Sequence, residues 1–134
     1  MTHTVAEGLA VAACGLLLLT AAFQLALSAG APWAAAAYGG RAVQYDGRLP
    51  SRHRAASLIT AVVLIAIGWL LLLRGGVMGS ASENSALAVM CWVFAVLFGV
   101  NTLGNLAGRH PAERWGMGAL TACLTVLCVL LALG

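Results

Sequence analysis

The chain has 134 residues, of which 62% are hydrophobic and 8% charged, against roughly 25% charged in soluble domains. So few charges cannot clothe a water-facing surface, and the apolar runs lack the polar stripe of a soluble amphipathic helix. The net charge of +3 comes from arginines scattered through connecting segments, which excludes a nucleic-acid partner and is too sparse for a polybasic lipid switch.

Four apolar stretches dominate the sequence: Gly8 to Leu27, Ala55 to Leu73, Ala86 to Ala107 and Trp115 to Leu133. Each is about 20 residues, or about 30 Å as a helix, which matches the hydrocarbon core of a bilayer. They predict an all-α membrane protein: one domain over 1–134, an antiparallel bundle of four transmembrane helices whose partner is the lipid bilayer. The first stretch is expected to stay attached. Ala29-Gly30-Ala31 resembles a cleavage site, but Thr2 to Glu7 carry no Lys or Arg, and the run exceeds the ~7–15 residues of a signal h-region.

The only substantial loop runs from Ser28 to Arg54. Gly30-Ala31-Pro32 breaks the first helix, Pro32 can start a short interfacial helix through Trp33 to Ala37, and Tyr38-Gly39-Gly40 ends it. Trp33, Tyr38 and Tyr45 suit the headgroup level, where a ring keeps one edge wet. The segment reads either as an interfacial helix with aromatic anchors or as a flap over a pocket. Asp46-Gly47 marks a turn, and Leu49-Pro50 leads into the second span.

The third span ends in Asn101-Thr102-Leu103-Gly104-Asn105-Leu106-Ala107-Gly108. At about 100° per residue, Asn101, Gly104, Asn105 and Gly108 share one face. Gly104 and Gly108 have the spacing that lets membrane helices approach closely, and amides in hydrocarbon need partners, so this face is expected to meet another helix. Before the fourth span, Arg109 and Glu113 flank Pro111 and read as a short-loop ion pair, with Pro at a helix start.

Orientation follows from arginine. The chain has no lysine; Arg41, Arg48, Arg52, Arg54, Arg109 and Arg114 lie on one side of a four-span topology, and Arg74 alone lies on the other. Positive residues stay inside, so both termini are expected outside the plasma membrane. Glu7 shares a depth with Arg74, which predicts a surface pair between them.

The same topology gathers polarity at the arginine-rich end. Gln24, Ser57, Thr60, Asn101 and Asn105 fall at similar depth, fringed by Arg109, Glu113 and Arg114, while the opposite half is almost purely apolar. The cluster reads either as interhelical glue or as a shallow pocket for a headgroup or small solute. Cys14, Cys91, Cys123 and Cys128 lie within spans without a C-x-x-C, and His3, His53 and His110 lie outside them, so no metal site, cofactor or disulfide framework is expected. The spans hold no central charged residue, which argues against proton coupling. No catalytic grouping is visible either.

Gly30-Ala31-Pro32-Trp33, Tyr38-Gly39-Gly40, Leu49-Pro50, Asn101-Thr102-Leu103-Gly104-Asn105-Leu106 and Glu113-Arg114 together resemble a group of small four-span bacterial membrane proteins of no assigned function. The resemblance covers most of the chain and implies the same four-span fold. Arginine in place of every lysine, with many alanines, resembles the usage of a GC-rich bacterial genome. The expected function is a non-enzymatic integral membrane protein: an accessory subunit, or a module binding lipid or a small solute, that self-associates or docks onto a larger membrane complex. The alternatives are a small oligomeric channel or facilitator and, further off, a membrane-embedded enzyme acting on lipid.

Overall fold

In the computed structural model, which describes residues 1–79 and 81–134, each apolar stretch forms one long helix. Helices α1 (His3–Ser28), α2 (Ser51–Arg74), α3 (Ser85–Leu106) and α4 (Ala112–Leu133) have 26, 24, 22 and 22 residues, each long and apolar enough to cross a membrane. Helices α1, α2 and α4 reach past their apolar runs because helical hydrogen bonding continues until a local signal stops it. Gly30, at φ 98°, turns the chain out of α1, and Pro50 precedes α2. Asn84 caps α3, its Oδ1 accepting from the Ala86 amide at 2.9 Å. Pro111 stands immediately before α4, as its fixed φ favours.

The helices pair as two antiparallel hairpins, α1 with α2 and α3 with α4; the hairpins meet mainly through α1 and α4, and α2 and α3 touch much less. Buried positions recur at three- and four-residue steps: Ala10, Ala13, Leu17 and Ala21 in α1; Ala61, Leu64, Gly68 and Leu71 in α2; Leu87, Cys91, Ala95 and Phe98 in α3; Thr121, Leu124, Cys128 and Leu131 in α4. This is the seam of knobs-into-holes packing. Between lipid-immersed helices, dispersion supplies much of the attraction, so small residues matter. At Gly75 a Cβ would overlap the Ala10 methyl and sit 2.9 Å from the Ala6 carbonyl oxygen. Only 22–33% of each helix's most apolar window is buried within the chain. The remaining apolar skin, including Leu19, Ile59, Val96, Leu103 and Val126, faces outward.

The long loop folds back over one end of the bundle. The short helical segment after Pro32 takes the tighter 3-10 form over Ala34–Ala36, and a second 3-10 turn covers Tyr38–Gly40. Trp33 stacks on Phe23 of α1 with ring centroids 6.2 Å apart. Leu27, Ala34, Ala37 and Leu49 form a small apolar core of their own beneath it. Tyr45 is fully exposed beside the expected turn, where the Gly47 amide donates to the Gln44 carbonyl at 3.0 Å.

The pairing expected between Glu7 and Arg74 does not form. Glu7 lies 3.1 Å from His3 one helical turn away. Arg74 turns instead toward carbonyls: its Nε donates to Leu131 O at 2.9 Å and its Nη1 to Ser82 O. The last carbonyls of a helix have no partner within it, so a guanidinium at the end of α2 satisfies α4 and the α2–α3 connection together. Among the described residues, side-chain hydrogen bonds join the two hairpins at this end and at one point beneath the long loop.

A polar cavity beneath the long loop

That second point is Glu113. The first six residues of α4, Ala112–Met117, are π-helical, and in this wider turn Glu113 is carried inward while Arg114 and Trp115 stay exposed. The Arg114 guanidinium lies 5.2 Å over the Trp115 ring. Arg109 is exposed and makes no ion pair with Glu113, contrary to the short-loop pairing expected from sequence. Glu113 is only 5% exposed. Its Oε1 accepts from the Gly39 amide at 2.9 Å, and its Oε2 is buried with no hydrogen-bond partner among the described residues.

The loop is shaped to make that contact. Tyr38, Gly39 and Gly40 take φ values of 51°, 69° and 72°, a left-handed run that glycine adopts freely and tyrosine does not. The Tyr38 hydroxyl lies 3.1 Å from Ser57 Oγ, and its ring packs edge-on to His53 at 5.0 Å. These contacts hold the strained residue. Ser57, fully buried, therefore anchors the loop. On α3's side, Gly108 makes room for the carboxylate, since a Cβ there would lie 2.5 Å from Glu113 Oε2.

Under this roof lies a cavity of about 480 Å³, within the size range of small-molecule sites, roughly 300–1,000 Å³. Thr20, Phe23 and Gln24 line it from α1, and Thr60 and Leu64 from α2. Phe98, Asn101, Gly104 and Asn105 line it from α3, and Glu113, Met117 and Thr121 from α4. Ala36, Tyr38, Gly39 and Arg41 line it from the loop, so the segment roofs the cavity. Gln24 Oε1 is a second buried oxygen without a partner. The Thr20 and Thr60 hydroxyls donate to their own helices, at Leu16 O and Ala56 O, and keep acceptor capacity free.

Of the residues expected to cluster at this end, Gln24, Thr60, Asn101, Asn105 and Glu113 line the cavity, and Ser57 stands behind it. Arg109 and Arg114 are exposed outside it. The stripe on α3 does not press against a neighbouring helix along its length. Asn101 and Gly104 are exposed, and a Cβ at Gly104 would meet nothing within 4 Å. Close approach to α4 occurs at Gly108, just past α3 and beside Glu113, as its spacing suggested, and at Gly118, where a Cβ would come within 3.1 Å of Leu106.

Glue is nevertheless present, centred on a residue the sequence did not single out. Thr121, 4% exposed, accepts from Thr102 Oγ1 at 3.0 Å and from Asn105 Nδ2 at 3.3 Å, and donates to Met117 O at 2.9 Å. Its signal was its depth, one hairpin turn from Asn105. Comparison with protein-family models, curated proteins and solved structures gives no match. Fold and site together define a four-helix membrane-spanning bundle with a polar cavity at one end.

Proposed function

We propose that this chain is a non-enzymatic integral membrane protein that binds a polar headgroup or small solute in the cavity beneath its long loop, on the cytoplasmic side. The observation that carries the reading is the convergence of four helices and a strained loop on one cavity that holds an unpartnered, buried Glu113 Oε2. A buried carboxyl oxygen without a partner is expensive, and a site that awaits a ligand accounts for it. Below Leu64 and Phe98 the interior is an apolar cluster of Leu17, Ile67, Cys91, Ala95, Leu124 and Cys128. That floor favours binding over passage through a single chain. The cytoplasmic placement rests on six arginines at this end.

Purification from native membranes, followed by identification of co-purifying lipids and solutes, tests the reading. A specific ligand is expected, and it should be lost in a folded Asn101→Leu variant, because Asn101 lines the cavity and bonds to no other side chain among the described residues. Proteoliposomes that show solute flux and no bound ligand would overturn it in favour of a channel.

A further inference from the structure

Resting on that reading, we infer that the ligand is a zwitterionic primary amine: an ammonium group drawn to the Glu113 carboxylate, with an adjoining anionic group directed toward Arg41. Glu113 Oε2 is a carboxylate oxygen, which takes donors only, and Gly39 already occupies its partner oxygen. Thr20 and Thr60 spend their protons on their own helices, so their oxygens also call for a donor. The Gln24 amide can turn to present its oxygen the same way, and its Oε1 is unpartnered. An ammonium offers three N–H groups to such a set of acceptors lining one cavity. Arg41 lines the same cavity from the roof and makes no ion pair among the described residues. With Glu113 and Arg41 both present, the formal charge of the lining is zero. A bare cation would meet opposition from Arg41, whereas a molecule carrying both signs satisfies both residues.

Two sources offer this chemistry, the phosphoethanolamine headgroup of a lipid and a free amine such as O-phosphoethanolamine. The test measures the thermal unfolding midpoint and equilibrium binding of the full chain. One arm uses detergent with O-phosphoethanolamine, phosphocholine or phosphoglycerol. The other uses phosphatidylcholine nanodiscs with and without phosphatidylethanolamine or phosphatidylglycerol. Phosphoethanolamine, free or in lipid, is expected to bind about 10–100-fold more tightly than its choline counterpart, whose quaternary nitrogen has no N–H. A response in the nanodisc arm alone assigns a lipid, and one in detergent alone assigns a free solute.

Glu113→Gln should abolish the amine-over-choline preference. Should that variant misfold, Arg41→Gln, on the exposed roof, should weaken phosphoethanolamine binding about tenfold, whereas ethanolamine, a bare cation relieved of the Arg41 charge, should bind no more weakly than before. Equal binding of amine and choline forms, or preference for phosphoglycerol, would overturn the inference while leaving a ligand site in place. No response to any of these compounds, together with no co-purifying ligand, would remove both.

Discussion

Thr121→Val separates packing from binding at the polar end. The change keeps the side chain's shape and removes a hydroxyl that joins α3 to α4 through Thr102 at 3.0 Å and Asn105 at 3.3 Å. Interhelical hydrogen bonds in membranes average about 0.6 kcal/mol, with a maximum near 1.7. Thr102 can fall back on Phe98 O at 2.8 Å, so the expected loss is about 1–2 kcal/mol, or roughly 5–30-fold in the folding equilibrium. Titration with SDS in mixed micelles, read by circular dichroism, measures it directly. Asn101→Leu is the control: it lines the cavity and should change stability by no more than about 0.5 kcal/mol. Combining Thr121→Val with Asn105→Leu should show a coupling of about 0.6 kcal/mol. Finding Asn101→Leu as costly as Thr121→Val, or no coupling to Asn105, would refute the division of labour along α3.

Three further outcomes are expected. Gly75→Ala forces a methyl into Ala10 and the Ala6 carbonyl oxygen, so it should destabilise the α1–α2 hairpin by about 1–3 kcal/mol in the same titration. Arg74→Met leaves the Leu131 and Ser82 carbonyls without their cationic donor. It should cost about 1.5–3 kcal/mol and speed hydrogen exchange at the C-terminal end of α4, as seen by mass spectrometry. A cysteine at Arg48, in a background without the native thiols, should react with a membrane-impermeant maleimide in inside-out vesicles and stay unlabelled in intact cells.

The bundle was legible because span length and hydropathy follow directly from bilayer thickness, and side-chain detail hardly affects them. The polar end was legible for the same reason: depth along antiparallel helices placed Gln24, Thr60, Asn101 and Asn105 together without knowledge of their contacts. Glu113 was read as a fringe residue paired with Arg109 because depth and spacing alone do not reveal the π-helical turn at Ala112–Met117, in which it is buried. The α3 stripe was misread in part because hairpin pairing, which brings α3 against α4 and leaves α2 apart, depends on packing between distant segments. Thr121 was overlooked because a threonine in a span ordinarily bonds back to its own helix, which it also does here. Arg74's preference for carbonyls over Glu7 arises where chain ends meet, and sequence spacing does not reveal that.

In the two-hairpin arrangement most helix-to-helix contacts fall within each half of the molecule. Residues 1–79 carry the roof, Gln24 and Thr60, and residues 81–134 carry Asn105, Glu113 and Thr121. Synthesised as separate polypeptides, the halves should each insert and then reassemble by fragment complementation. Neither half alone encloses the cavity, so any ligand it holds would act as a cement between them, and its absence would show first as dissociation of the split protein.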